Sequence, residues 1–508
     1  MQSADVPVAG SEPRTFDKGL KADAIGFVDS LVIGLASTAP AYSLAAVIGS
    51  VVVIAGLQAP AVLLASFVPM VLIASAFYYM NKVDTDAGTT FSWVTRGLGP
   101  FPGWMGGWAI CTTGILVVGS LADVGARYFY LLVGWDSAAE EKWAVMALAI
   151  AAVGVLTLIC VLGTELSAKL QNAMILVQVG SLLVFAAVAI IKVYGDDAPE
   201  GSIEPSLSWL NPFEIPSSSA LTAGLLIGVF IYWGWESSVN LAEETSDPAG
   251  APGKAAVLST VILLVTYVSV GIAVVAFAGL ETLAEFDDDE SVFATLAADV
   301  LGSPWDKLVV LSIVTSALAS TQTTIIPASR TTLSMARAGA LPERLGRVHP
   351  RFYTPHVSTW VIGGLAVAYY VVVNSYSENV LFDTLSALSL MIAFYYALTG
   401  IACAVYWRHQ LLKSVKNLLF VGIGPLIGAG ILLFLFVRSV RDLSDPGNSY
   451  TGDSWLGVGP PLVIGLGFLL LGAVLMVLWR LGGNERFFSR RPETVDAELA
   501  AGRVKGVS

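Results

Sequence analysis

Long apolar runs separated by short polar connectors dominate the chain, and twelve of the runs approach membrane length. A lipid core about 30 Å thick takes roughly 20 helical residues to cross. Runs of that order fall near 28–55, 58–80, 100–128, 143–162, 166–192, 218–241, 254–279, 305–329, 355–374, 379–406, 415–437 and 457–479. The pattern predicts helices, since lipid offers no partner to an open backbone and barrel strands would alternate in polarity. Two connectors also read as helical: 88–97 as a short interfacial helix, and 291–301 as an amphipathic one on the outer face. The expected organisation is a tail (1–27), a ten-span core (28–406), spans 11 and 12 (407–480) and a disordered tail (481–508).

Composition agrees with a lipid solvent. Hydrophobic residues make up 55% of the 508 and charged residues 13%, about half the charged share of a soluble chain. The net charge of −12 argues against a nucleic-acid partner, whose phosphates demand a basic footprint. Cys111, Cys160 and Cys403 lie in apolar runs, and His349, His356 and His409 lie in or beside connectors. Neither set has metal-ligand or disulfide spacing. No metal and no resident cofactor is therefore expected.

Charge also orients the spans. If both ends lie in the cytoplasm, only Arg127, Lys142, Lys192, Lys307, Arg438 and Arg441 of the 27 Lys and Arg fall outside. That asymmetry is the positive-inside pattern of a multi-pass cell-membrane protein. Outer loops are acidic instead, as in Asp287-Asp288-Asp289-Glu290.

Two spans contain weak points. Span 1 carries Gly34-Leu35-Ala36-Ser37-Thr38-Ala39-Pro40-Ala41, where Pro40 lacks an amide hydrogen and opposes the carbonyl four residues back. Span 6 carries Phe230-Ile231-Tyr232-Trp233-Gly234-Trp235-Glu236, with a glycine and a carboxylate that lipid penalises. A kink and a structural hydrogen bond would explain each separately. Five spans apart, they match the paired broken helices of a transporter with inverted repeats, here about 28–192 and 218–406.

Three further stretches carry a resemblance. The first is Asp84-Thr85-Asp86-Ala87-Gly88-Thr89-Thr90-Phe91-Ser92-Trp93-Val94, with Gly97-Leu98-Gly99-Pro100 and Gly107-Trp108. The second runs from Gly234-Trp235-Glu236 to Leu241-Ala242-Glu243-Glu244-Thr245-Ser246-Asp247-Pro248. The third is Ser329-Arg330 followed by Met335-Ala336-Arg337-Ala338-Gly339-Ala340-Leu341-Pro342. In this order they resemble the motifs of the amino acid–polyamine–organocation (APC) permeases, over nearly the whole chain. The resemblance implies an all-α membrane protein of twelve transmembrane helices. Its fold would be the LeuT-like five-plus-five inverted repeat with two extra C-terminal helices. Two departures stand out: the family's Gly-x-Gly at the span 1 break is replaced by Ala36-Ser37-Thr38-Ala39-Pro40, and a lysine found midway along span 5 in some proton-coupled members is Gln178.

The function so implied is a secondary transporter importing an amino acid or related amine by alternating access, coupled to a cation gradient; an amino acid/amine exchanger is the alternative. Ser37, Thr38 and Ala39 are expected to hold the carboxylate or another polar end. Carbonyls of Phe230, Ile231 and Trp233 would receive the ammonium, with Phe230, Tyr232 and Trp233 as gate or cation–π surface. Ordinary packing is the competing explanation. Glu236 is a candidate proton-linked switch, or a partner of the amine. Ser320 and Thr321 lie where sodium-coupled relatives of this fold place hydroxyl ligands, though hydroxyls are also common at helix contacts. Glu243, Glu244 and Asp247 are expected to meet Arg330 or Arg337 in an inner gate. Asp123 with Arg127, and Asp383, read as structural. A membrane-embedded enzyme would need a nucleophile, base and metal ligands at shared depth, which the chain lacks. A channel would need a filter-like repeat or charged ring, and none is present. The pattern leaves the substrate and the oligomeric state open.

Overall fold

Pro40 sets the course of the first apolar stretch. The computed structural model describes residues 18–195, 198–284 and 292–500, and over these it is helical, with no β-strand. Helix α1 (Phe27–Ser37) stops short of Pro40, and α2 (Pro40–Ala55) begins on it. Between them Ala39 adopts φ 48°, ψ 59°, a left-handed conformation costing an L-residue roughly 1–2 kcal/mol. After a turn at Gly56–Gln58, α3 (Ala59–Val83) follows.

Eleven of the described stretches are long and apolar enough to cross a membrane. The first, Phe27–Val83, contains 57 residues and holds the runs expected as spans 1 and 2. Next come the connector helix α4 (Thr90–Leu98) and α5 (Pro100–Leu132), then α6 (Lys142–Leu162) and α7 (Thr164–Val193). Helix α8 (Ser218–Ile231) ends at the second weak point and gives way to a 3-10 segment, Trp235–Glu244. The rest are α9 (Ala251–Ala284), α10 (Val292–Leu301), α11 (Lys307–Arg337), α12 (His356–Tyr376) and α13 (Glu378–Tyr406). The chain closes with α14 (Gly424–Asp442), α15 (Pro460–Leu481), α16 (Glu485–Phe488) and α17 (Val495–Ala500). The acidic run 287–290, and residues 1–17 and 501–508 of the two tails, lie outside the described residues.

Two groups of helices pack against each other, and α11 of one touches α1 and α2 of the other. Helices α1, α2, α3, α8 and α9 pack on one another, while α5 lies along α11 with α6 and α12 beside them. Helix α7 touches both groups. Helix α10 buries Val292, Phe293, Leu296, Ala297 and Val300, the one-sided stripe of an amphipathic helix. Helix α11 continues past the expected end of span 8, to Arg337. That extension carries Arg330 inside the protein, where it is buried.

The last residues depart from the expected disordered tail. Phe487 stacks on Phe91 with ring centroids 5.6 Å apart, and Phe488 lies 5.2 Å from Phe101. The Glu493 amide donates to the Arg96 carbonyl at 2.8 Å. Glu498 is buried and accepts from Arg96 at 2.5 Å and from the Tyr406 hydroxyl. Charge and small residues predict disorder only where no apolar side chain finds a seat, and this segment seats two phenylalanines and Val495.

Candidate functional site

The two helix breaks meet. Gly234, at φ 121°, packs so closely on Ser37 that a Cβ there would lie 2.6 Å from the Ser37 carbonyl oxygen. The hydroxyls of Ser37 and Ser237 are hydrogen-bonded at 2.8 Å across the junction. The Tyr267 hydroxyl, from α9, donates to the Ile231 carbonyl at 2.7 Å. Such contacts between unwound segments satisfy backbone groups that lipid could not.

A small cavity of about 10 Å³, room for about one water molecule, lies at this junction. Ser37, Thr38, Ala39, Tyr42 and Ser43 line it from the first break, and Phe230 and Trp233 from the second. Val117 and Leu121 of α5 and Ser320 of α11 complete the wall. Among the described residues, none of that lining is Asp, Glu, Lys, Arg or His. Polarity comes from hydroxyls and helix ends: α2 starts in the cavity wall, while α1 and α8 finish there. A helix start carries partial positive charge and a helix end partial negative charge.

Several expected donors and acceptors already have partners. The Thr38 and Ala39 amides donate to the Leu35 and Ala36 carbonyls at 3.2 and 3.1 Å. The Phe230 carbonyl accepts from the Trp233 amide at 3.1 Å. Tyr232 turns away from the cavity: its hydroxyl donates to the Leu63 carbonyl at 3.1 Å. Ile231 and Tyr232 are buried behind the lining. Ser320 donates its hydroxyl to the Ser37 carbonyl at 2.8 Å, and Thr321 bonds within its own helix, to Ala317. Gln178 is buried on α7 outside the cavity lining, and neither of its amide atoms has a protein partner.

Glu236 sits one layer behind the cavity. Its Oε1 accepts from the Tyr395 hydroxyl at 2.5 Å. Its Oε2 accepts from the Tyr396 hydroxyl and from the Gly234 amide, the latter at 3.1 Å. The Tyr395 oxygen in turn accepts the indole N–H of Trp233. The lining residue Trp233 and the Glu236 carboxylate thereby meet at one hydroxyl of α13, that of Tyr395.

Two charged clusters close the face that carries the described chain ends. In one, Arg330 Nε lies 2.5 Å from Glu244 Oε2 and its NH2 group 2.9 Å from Oε1. Thr164 donates its hydroxyl to the same carboxylate. Of the contacts expected between Glu243, Glu244 or Asp247 and Arg330 or Arg337, this is the one formed, and Glu243 does not take part in it. In the other, Glu243 meets Lys18 at 2.5 Å, and Lys18 meets Asp86 at 2.9 Å. Arg337 reaches only the Lys18 carbonyl, at 3.2 Å, and Asp247 accepts from the Gly250 amide at the start of α9.

Burial opposes the Lys18 charge, but Asp86 and Glu243 overcome it and hold the ammonium pKa above the ordinary lysine value. Burial likewise opposes ionisation of Asp86. Lys18 and hydrogen bonds from Gly88 and Ser92 outweigh that and hold its carboxyl below the usual range. Asp86 would lose its charge only in strong acid and Lys18 only in strong base, so this pair stays charged through neutrality. On α5 and α13, Asp123 lies 3.7 Å from Arg127 and accepts from Tyr370, while Asp383 accepts from the Tyr450 amide at 2.7 Å. Both serve to hold helices and loops together.

Lys18, Tyr395, Tyr396, Val117 and Leu121 were not legible as site residues. Only the Tyr395-Tyr396 pair, two phenols side by side within an apolar run, offered a signal.

Comparison with known proteins follows the same line. The chain is 29% identical over 359 residues to an uncharacterized transporter of Mycobacterium tuberculosis, covering 68% of this chain and 72% of that one. It is 24% identical over 362 residues to the methylthioribose transporter of Bacillus subtilis, with coverage of 68% and 73%. It is 25% identical over 243 residues to a branched-chain amino acid permease of Bacillus subtilis, with coverage of 46% and 48%. The profile of the amino acid permease family, within the APC superfamily, matches residues 26–478. Its helices, its paired breaks and this match together make the chain a member of the amino acid permease family, a multi-pass membrane transporter.

Proposed function

We propose that this transporter imports a small amino acid or related amine by alternating access, driven by a proton gradient across the cell membrane. The carrying observation is a small cavity between two helix breaks that meet, shut off on one face by two charged clusters. In this reading that face is cytoplasmic, Phe27–Val83 crosses twice, and the protein spans the membrane twelve times with a five-plus-five repeat. A 57-residue stretch would extend about 85 Å as one helix, far more than a bilayer core. The start of α2 would attract the substrate carboxylate, and the ends of α1 and α8 its ammonium. Hydroxyls of Ser37, Thr38 and Ser320 would add hydrogen bonds, while Val117, Leu121, Phe230 and Trp233 would take the apolar part.

A thermal-shift screen of purified protein tests the substrate class. At a hundred times its dissociation constant a true ligand stabilises by about 2.7 kcal/mol. Small neutral amino acids are expected to raise the melting temperature above that with arginine or glutamate, whose extra charge the cavity cannot pair. No shift with any amino acid or amine, beside a shift with a neutral sugar thioether, would overturn the assignment. Counterflow in proteoliposomes separates import from exchange, since an exchanger needs internal substrate.

The proton assignment rests on hydrogen-bond valence. Glu236 faces three donors, and the Tyr395 oxygen is already occupied by the Trp233 indole N–H. A carboxylate accepts all three, whereas a proton on Oε2, which faces both Tyr396 and the Gly234 amide, displaces one of them. Protonation there would therefore loosen the tie between the second break and Tyr396 of α13. Wild-type uptake is expected to rise as external pH falls, and uptake by Glu236→Gln to be flat with pH. A variant keeping the wild-type profile would leave Glu236 as a helix stitch only.

A further inference from the structure

Four arginines gather where the last span ends. Arg480 lies in the final turn of α15, and Arg486, Arg490 and Arg491 follow on the docked C-terminal segment. All four are exposed. Aromatic packing, rather than counter-charge, holds two of them in place. The Arg480 guanidinium lies 5.3 Å from the centre of the Phe101 ring, and that of Arg490 lies 5.2 Å from Phe487. Arg490 also donates to the Ala338 carbonyl at 2.9 Å. Among the described residues, none of the four forms an ion pair with Asp or Glu.

Their surroundings indicate what the cluster meets. Val477, Leu478 and Leu481 around Arg480 are exposed apolar side chains, the surface that acyl chains cover. The arginines therefore stand where hydrocarbon gives way to headgroups. A guanidinium matches a phosphate in a two-pronged hydrogen bond and sheds water more readily than an ammonium. The chain as a whole carries −12, which repels soluble polyanions and leaves this collar as a local exception.

We propose that Arg480, Arg486, Arg490 and Arg491 form a docking surface for anionic phospholipid headgroups in the leaflet on the chain-end face. The same segment continues to Glu498, which binds Arg96 beside α5 and Tyr406 at the end of α13. A headgroup on the collar thus also holds the segment against the face where the charged clusters close the cavity.

Native mass spectrometry of the full chain in a neutral detergent, titrated with phosphatidylglycerol or phosphatidylcholine, tests this. The triple variant Arg486→Gln/Arg490→Gln/Arg491→Gln should bind phosphatidylglycerol about a hundredfold more weakly, at roughly fivefold per arginine. Glycerol phosphate, a headgroup without acyl chains, should not compete. Equal retention of both lipids by the wild type would overturn the proposal, as would full retention of phosphatidylglycerol by the triple variant. Competition by glycerol phosphate would make the collar a free-phosphate site and overturn the lipid assignment. Arg344→Gln/Arg347→Gln/Arg351→Gln removes the same charge from another exposed connector and should leave retention unchanged. An equal loss there would reduce the effect to net charge and overturn the proposal.

Discussion

Gly234→Ala is expected to abolish transport, reducing uptake by more than about tenfold at equal expression. Two costs coincide at this position. The backbone angle of φ 121° is one that L-residues rarely adopt, and the new Cβ would sit 2.6 Å from the Ser37 carbonyl oxygen and 2.7 Å from its carbon. The obstruction is backbone, so no rotamer change relieves it. Forced overpacking of this kind costs typically 1–3 kcal/mol, and the strained angle adds roughly 1–2 kcal/mol more. The consequence is local to function, because separating Gly234 from Ser37 pulls apart the two breaks that form the cavity wall. Gly154→Ala on α6, where nothing lies within 4 Å, should behave as wild type. Normal uptake by Gly234→Ala would mean that the breaks do not meet as described.

Arg330→Ala should destabilise the protein by about 3–5 kcal/mol, because it leaves Glu244 buried, charged and without its partner. The two side chains are almost wholly enclosed, at 1% and 0% exposure. Arg330 supplies both arms of a two-pronged contact at 2.5 and 2.9 Å. Replacing both residues, as Arg330→Met/Glu244→Leu, should recover much of the loss, since the unpaired charge is gone. A melting series over the wild type, the two single variants and the double variant reads that coupling directly. Additive losses would show that the pair does not interact. The functional counterpart is access: if this cluster shuts the inner side, Cys160, buried in α6, should react faster with a thiol reagent in Arg330→Ala.

Much of this was legible from local pattern. Hydrophobic run length marked most of the apolar helices to within a few residues, whereas α11 continues beyond its expected end to Arg337 and α14 begins only at Gly424. Pro40 and Gly234 marked the breaks, because missing amide hydrogens and glycine freedom act on the chain next to them. Charges at one end of two spans suggested a contact between Glu243, Glu244 or Asp247 and Arg330 or Arg337, but not that Glu244 and Arg330 are the pair that forms it. Reasoning of this sort failed where partners are remote in sequence. Lys18 read as part of a polar tail, yet its side chain reaches Glu243 across 225 positions. Glu236 read as a proton-linked switch or a partner of the amine, and its neighbours Tyr395 and Tyr396 reach it from α13, some 160 positions away.

The sequence by itself determined that this is a helical membrane protein, where its helices run and where two of them break. Each of those follows from interactions with lipid or with the four neighbouring residues along the chain. Only the tertiary structure decided which side chains line the cavity, what Glu236 bonds to, and that residues 487–498 fold back onto the protein. A helix period tells which residues share a face but not how far that helix is rotated, nor what stands opposite. Those choices come from packing all the helices at once, where one buried charge or one seated phenylalanine selects a partner hundreds of residues away.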